Sequence, residues 1–214
     1  MRELLVATRS AGKLRELTPM LRELGFVALS LDDAGIEEQA AEDDLEVFET
    51  FAENALAKAR WFLALGGGRP VVADDSGLTV NALQGRPGVR SKRWSGRTDL
   101  DGQALDDVNN ELLVRTLTGQ GAGRPWTAQY VCAAACAWPG GTQVALGECS
   151  GQIIPNPQGE GGFGYDPYFR SDELGRTFGE SSRDEKAAVS HRGRAVRALT
   201  AALRSNSLWN ASYS

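Results

Sequence analysis

A chain of 214 residues that is 42% apolar and 24% charged can bury one large core or two modest lobes, and one compact domain is the default expectation. Its formal net charge of −5 excludes a general affinity for the nucleic-acid backbone, which requires a basic surface to displace counterions. No run of eighteen apolar residues occurs and the N-terminus carries no secretion-signal pattern, so neither a membrane span nor export is expected and the chain reads as cytoplasmic.

Glu3 to Thr8 reads as a first buried strand, and Lys13 to Leu24 as a helix, because Leu14, Leu17, Leu21 and Leu24 recur at three- and four-residue steps until Gly25 ends it. A second strand is expected over Val27 to Leu31. The acidic stretch Asp32 to Glu49 has no apolar periodicity and reads mostly as loop. A helix from about Thr50 to Leu65 places Phe51, Ala55, Ala59, Phe62 and Leu65 on one stripe, and stops at Gly66-Gly67-Gly68. The short strand Pro70 to Ala73 then delivers Asp74 and Asp75 at its C-terminal end, where Ser76-Gly77 signals a turn.

Further along, Asp101 to Thr118 fits a helix with Leu105, Val108, Leu112 and the stem of Arg115 on one side, closed by Gly119 to Gly123. Thr127 to Trp138 and Thr142 to Ile154 read as an antiparallel hairpin around Pro139-Gly140-Gly141. A last helix begins near Ser190 and packs Ala195, Val196, Leu199, Ala202 and Leu203, and residues 205–214 form a polar, disordered tail. Cys132, Cys136 and Cys149 have neither C-x-x-C spacing nor a histidine at zinc-site distance, and read as small buried hydrophobes. The order of elements predicts an α/β protein with a mixed sheet and no internal repeat.

Several segments carry possible chemistry. Two carboxylates at a strand end can hold Mg²⁺ or activate water, although the same pair also suits a plain polar turn. Thr8-Arg9-Ser10-Ala11-Gly12-Lys13 joins a strand to a helix, so its backbone N–H groups and Lys13 can cradle phosphate, but it lacks the first glycine and the Ser/Thr of a P-loop. Lys58 falls inside the apolar stripe of its helix and must snorkel or find an anion, with Asn54 one turn back on the same edge. Gly159 to Gly164 matches G-x-G-x-x-G formally, yet Tyr165-Asp166-Pro167 follows instead of a helix. It reads as a mobile glycine loop presenting Phe163 or Tyr165 to an aromatic ring. His191 is the single histidine, and with Arg192 and the upstream Lys186 it suits an anion or base-edge contact.

Taken in order, Thr8-x-x-x-Gly12-Lys13, Phe51-Ala52-Glu53-Asn54-Ala55-Leu56-Ala57-Lys58-Ala59, Ala73-Asp74-Asp75-Ser76-Gly77-Leu78 with Pro87 to Trp94, Gly162 to Pro167, and Lys186 with Ser190-His191-Arg192-Gly193 resemble the inosine triphosphate pyrophosphatase family. These are the noncanonical purine nucleoside triphosphatases of the Ham1 or RdgB type. The resemblance covers residues 3–204 and implies one catalytic domain over 1–204, with an elongated mixed sheet and two lobes around a central substrate cleft. It also implies hydrolysis of dITP, ITP and XTP to the monophosphate and pyrophosphate, with Mg²⁺ as cofactor, in a homodimer. Carried over by residue, Thr8, Arg9, Ser10, Ala11, Gly12 and Lys13 bind the triphosphate. Asp75 is the base and a metal ligand, Ser76 touches substrate, and Lys58 and Asp74 support phosphate and metal. Phe163, Gly164, Tyr165, Asp166, Lys186, His191 and Arg192 hold the nucleoside. Glu46 has the expected spacing for a second metal carboxylate, with Asp44 and Glu49 as alternatives. Ser10 stands where the family usually has Asn, and the approach to Phe51 is unusually acidic. A pyrophosphatase of modified pyrimidine nucleotides, similar to the Maf family, and a non-catalytic nucleotide sensor are the competing readings.

Overall fold

The computed structural model describes residues 2–121 and 123–211, so Ala122 and the last three residues of the expected tail lie outside the described residues. In its first third, each apolar run and each helix-period stretch forms the element expected: β1 (Arg2–Val6), α1 (Ala11–Glu23), β2 (Phe26–Ser30) and α2 (Phe51–Leu65). Gly25 follows α1 at φ +85, the left-handed backbone that lets the chain leave a helix. Thr50 caps α2 through its hydroxyl, which accepts from the Glu53 N–H. The acidic stretch is more ordered than its composition suggests, because Ala40–Glu46 winds into a 3₁₀ segment.

The next strand corrects the expectation. β3 runs from Val71 to Val80, so Asp74 and Asp75 lie inside it and Ser76-Gly77 is no turn. Eight of its ten positions are buried, which is the signature of a strand covered on both faces. There follow α3 (Gly102–Gly119), β4 (Trp126–Trp138), β5 (Gly141–Ile153), β6 (Phe169–Ser171), α4 (Arg183–Val189), α5 (His191–Ser205) and α6 (Ser207–Ala211). β6 and α4 have no counterpart in the expected elements. The buried face of α3 comprises Leu105, Asn109, Asn110, Leu113 and Leu117, one position round the helix from the predicted side; Arg115 is exposed. Leu65 is likewise exposed rather than part of the α2 stripe.

The six strands form one sheet in the order β2-β1-β3-β4-β5-β6. β1 pairs in parallel with β2 and β3, and β5 pairs antiparallel with β6, so the sheet is mixed. β4 and β5 are neighbours joined only by Pro139 and Gly140, the connection of a hairpin. The chain divides into two compact units: the first comprises the residues up to Asp75, Cys132–Gly147 and those from His191 onward, the second Ser76–Val131 and Glu148–Ser190. The first unit packs Ala55, Ala59 and Phe62 of α2 with Leu5, Val71, Ala73, Ala133, Ala135 and Ala137, where alternate alanines on β4 leave room for the helix. The second is built on aromatic rings, with Tyr130, Phe169 and Phe178 in mutual contact at centroid distances of 4.7–5.9 Å. All three cysteines are free and buried, as expected.

The expected disorder from residue 205 is also corrected over its described part. Asn206 Oδ1 accepts from the N–H groups of Leu208 and Trp209, starting α6, and Trp209 is buried against Trp138 with ring centroids 5.3 Å apart. One large aromatic is enough to dock a five-residue helix that could not persist alone. Among the described residues no helix is long and apolar enough to cross a membrane.

Candidate active site

β1 stops at Val6, two residues before β3 reaches its aspartates. The Ala7 N–H still donates to the Val72 carbonyl at 2.8 Å, but the chain then leaves the sheet, so the next carbonyl on that side of β3, that of Asp74, has lost its ladder partner. Two lysines take it: Lys58 Nζ donates to the Asp74 carbonyl at 2.5 Å and Lys13 Nζ at 3.2 Å. This is the crevice beyond a strand end at which α/β sheets commonly bind ligands.

The two carboxylates lie on opposite faces of β3, as strand alternation demands. Asp74 is buried among cations. Its Oδ2 lies 3.3 Å from Lys13 Nζ and accepts from Arg192 Nε at 3.1 Å, with the Cys132 thiol at 3.9 Å. Burial alone would raise its pKa, but Lys13, Arg192 and Lys58 outweigh it and hold this carboxyl well below the usual range. Asp75 faces α2, where Asn54 Nδ2 donates to its Oδ2 at 2.9 Å. Burial dominates here and raises its pKa in spite of Lys58 and Lys13, with Glu46 adding to the rise. The surroundings therefore push the two carboxyls apart, Asp74 below the ordinary carboxylate value and Asp75 above it.

Lys58 finds its anion: besides the Asp74 carbonyl it donates to Glu46 Oε1, and the three carboxylates Glu46, Asp74 and Asp75 together overcome desolvation and raise its pKa. Lys13 is lowered, chiefly by burial. Asn54 is fully buried, and its Oδ1 accepts from the Phe48 N–H while Nδ2 reaches the Phe48 carbonyl and Asp75. In the loop between β1 and α1, Ser10 caps α1 by accepting from Lys13 N–H at 3.4 Å, and the Ser10 N–H donates to Thr8 Oγ1 at 3.1 Å.

Two of the expected binding residues have other partners. Arg9 is engaged bidentately with Glu42, at 3.0 and 2.8 Å, and donates to the Ile36 carbonyl, which ties the acidic stretch to the loop. Arg192 is buried between Asp74 and Glu16 of α1 and donates to both carboxylates. Glu16 was absent from the expected site, although it lies one helical turn after Lys13 and so on the same side. His191 is buried at the start of α5, where β5 comes so close that a Cβ on Gly147 would sit 2.2 Å from the His191 carbonyl.

The second unit brings Phe163, Gly164, Tyr165, Asp166 and Lys186 together. Asp166 Oδ2 accepts from the Phe163 N–H at 2.9 Å and from Lys186 Nζ at 2.5 Å, and Tyr130 donates to Oδ1 at 3.4 Å. Gly162 is obligatory beside it: its φ is +77 and a Cβ would fall 2.0 Å from Asp166 Oδ2. Lys186 Nζ lies 5.0 Å from the Phe163 ring centroid. The loop is thus pinned, contrary to the mobile segment expected. Of the two aromatics left open by the sequence, Tyr165 is core, donating to the Ser91 carbonyl at 2.8 Å, and Phe163 is the one with exposed surface. Ser76 is half-buried on β3.

Residues 4–202 match the model of the Ham1 family. The chain is 46% identical over 200 residues to a dITP/XTP pyrophosphatase of Exiguobacterium sp., covering 93% of this chain and 95% of that protein. It is 45% identical over 203 residues to a dITP/XTP pyrophosphatase of Frankia alni, covering 93% and 96%. Among solved structures, a HAM1 protein from Coxiella burnetii superposes with a TM-score of 0.78 at 32% identity, over 96% of this chain and all of that one. With the family match over nearly the whole chain and relatives of this identity, this chain belongs to the Ham1 family.

Proposed function

We propose that this protein hydrolyses noncanonical purine nucleoside triphosphates, dITP, ITP and XTP, to the monophosphate and pyrophosphate. The observation that carries the reading is the separation of Asp74 from Asp75 on β3: one carboxylate is locked among cations, while the other is raised by burial and positioned by Asn54. Membership of a family whose relatives are named dITP/XTP pyrophosphatase supplies the substrate class.

In this reading Asp75 takes the proton from a water whose oxygen forms a bond to the α-phosphorus. The bond from that phosphorus to the α–β bridging oxygen breaks, and the electron pair leaves with pyrophosphate. Lys13, Lys58 and the N–H groups at the start of α1 neutralise the phosphates, and Asp74 fixes Lys13. The donor set fits Mg²⁺. Among the described residues no three His, Cys, Asp or Glu groups are placed to hold a metal by themselves, and Mg²⁺ is typically held by one or two carboxylates, completing its shell with water and phosphate oxygen. Asp75 and Glu46 would hold it, and when bound it supplies charge neutralisation at the phosphates. Phe163 offers a ring to the base, over Lys186 and Asp166, with His191 as a further nucleoside contact. Hypoxanthine and xanthine share a 6-oxo acceptor and N1–H, so donors suited to that edge reject adenine. A homodimer belongs to the same proposal.

The test is a panel of ITP, dITP, XTP, GTP, ATP and modified pyrimidine triphosphates, with and without Mg²⁺, scored for pyrophosphate and orthophosphate. Pyrophosphate released from ITP, dITP and XTP but not from GTP, whose 2-amino group must be excluded, and only with metal, is the expected result. Orthophosphate, turnover of pyrimidines, or ITP binding without turnover would each replace the reading.

A further inference from the structure

Gly164 is gripped at both of its backbone polar groups by one helix. Its N–H donates to Asp106 Oδ2 at 2.7 Å, and its carbonyl accepts from Asn110 Nδ2 at 2.9 Å. The two side chains are four residues apart on α3, so they project from one edge of the helix a single turn apart and span one residue of the facing chain. Gly164 has φ +63 and nothing within 4 Å of where a Cβ would be, so the left-handed backbone, not crowding, calls for glycine. On its other side Phe163 is fixed by Asp166, which accepts from the Phe163 N–H and donates its own N–H to the Phe163 carbonyl at 3.3 Å. These two grips hold the backbone on both sides of Phe163, whose ring lies 5.0 Å from Lys186 Nζ.

The choice of residues on α3 is costly for folding alone. Asn and Asp are poor in helix interiors, and Leu105, Leu113 and Leu117 already supply the apolar face. Asn110 is buried where an aliphatic side chain would pack, and burial raises the pKa of Asp106 although the Gly164 N–H opposes it. A shape requirement would be met by leucine. A requirement for one acceptor and one donor at fixed spacing is met only by polar residues such as these.

We propose that Asp106 and Asn110 are positioning residues for base recognition, acting through Gly164 to fix the Phe163 ring without touching the nucleotide. The proposal rests on Phe163 as the platform for the base. Its test compares Asp106→Ala, Asp106→Asn, Asn110→Asp and Phe163→Ala by kcat and KM for ITP and by the Kd of IMP in calorimetry. Asp106→Asn keeps an oxygen that accepts from Gly164 N–H. Asn110→Asp keeps the shape but turns an acceptor toward the Gly164 carbonyl.

Asp106→Ala and Asn110→Asp are expected to raise KM and the IMP Kd about tenfold, the scale of one lost hydrogen bond, with a smaller change in kcat, while Asp106→Asn restores near-wild-type values. Wild-type KM and Kd in Asn110→Asp, or equal losses in Asp106→Ala and Asp106→Asn, would overturn the proposal. The near-isosteric pair decides the matter even if Asp106→Ala fails to fold. An unaltered Kd in Phe163→Ala would remove the platform itself, and so separates failure of the functional reading from failure of the grip.

Discussion

Asp74 and Asp75 are covalent neighbours whose surroundings differ because β3 is covered on both faces. The even-numbered side of the strand meets α1 and α5, which bring Lys13 and Arg192 to Asp74; the odd-numbered side meets α2, which brings Asn54 to Asp75. Replacing Asp75 by Asn keeps the shape and a hydrogen-bonding group beside Asn54, so the fold should persist while kcat with ITP falls by roughly 10²- to 10⁴-fold, the range for a lost general base. An unchanged kcat, with circular dichroism also unchanged, would remove Asp75 from the chemistry. At this scale the sequence was informative where a residue contradicted its own pattern. Lys58 inside an apolar stripe had either to snorkel or to find an anion, and it meets Glu46. The sequence marked Arg192 for an anion or base-edge contact but was silent on Glu16, since a glutamate on a helix carries no sign that it meets a distant arginine. Nor did it foretell that the guanidinium of Arg9 pairs with Glu42.

That Arg9–Glu42 pair shows how one element is held by another. Composition predicts that Asp32 to Glu49 should repel itself into a loop. The structure folds part of it as a 3₁₀ segment because Arg9 takes Glu42 and Lys58 takes Glu46. The Arg9 hydrogen bond is the main reason that the Glu42 pKa lies below its ordinary value, with burial opposing. A carboxylate whose pKa is lowered by folding contributes stability above its unfolded pKa, and that stability is lost as pH falls through the folded one. Wild type should therefore melt above Glu42→Gln at pH about 7, by an amount worth roughly 0.2–1 kcal/mol for a partly exposed pair, and the gap should close as pH is lowered from about 5 to about 3. A gap constant across that range would mean that Glu42 acts through packing instead. Element boundaries were otherwise legible wherever period and caps agreed, as in α1, α2 and α5. α4 was missed, although Ser182 and Glu185 form a capping box in which the Ser182 hydroxyl accepts from Glu185 N–H and the Ser182 N–H donates to the Glu185 side chain. The turn expected at Ser76-Gly77 failed for a different reason: the local signal for a turn was overridden by strand pairing on either side of β3.

Across the whole molecule, the mixed sheet followed from the alternation of strand and helix patterns, but how the chain shares itself between two cores did not. The first unit is assembled from three separate segments, and no local pattern marks where β3, β4 and β5 pass from one unit to the other. The C-terminal segment shows this most clearly. Read locally, Ser205 onward is polar and helix-poor, which predicts disorder. Its one large apolar side chain, Trp209, is nevertheless almost wholly buried, edge-on to Trp138 at the end of β4 and beneath Arg2 of β1 at 5.7 Å from its ring. Three segments distant in sequence thus meet in the first unit through one indole, and α6 exists because it delivers that indole. Trp209→Ala should lower the stability to chemical denaturation by about 3 kcal/mol, within the usual range for removing a buried aromatic, and should release α6. Trp138 and Arg2, which meet the Trp209 ring, are not among the residues assigned to phosphate, metal or base, so kcat/KM for ITP under conditions where the variant remains folded should stay at the wild-type value. A loss below about 1 kcal/mol would show that the segment rests on the surface without supporting the fold, whereas a fall in kcat/KM at full folding would show that the contact with Trp138 extends its influence along β4 to Cys132 and the Asp74 carboxylate.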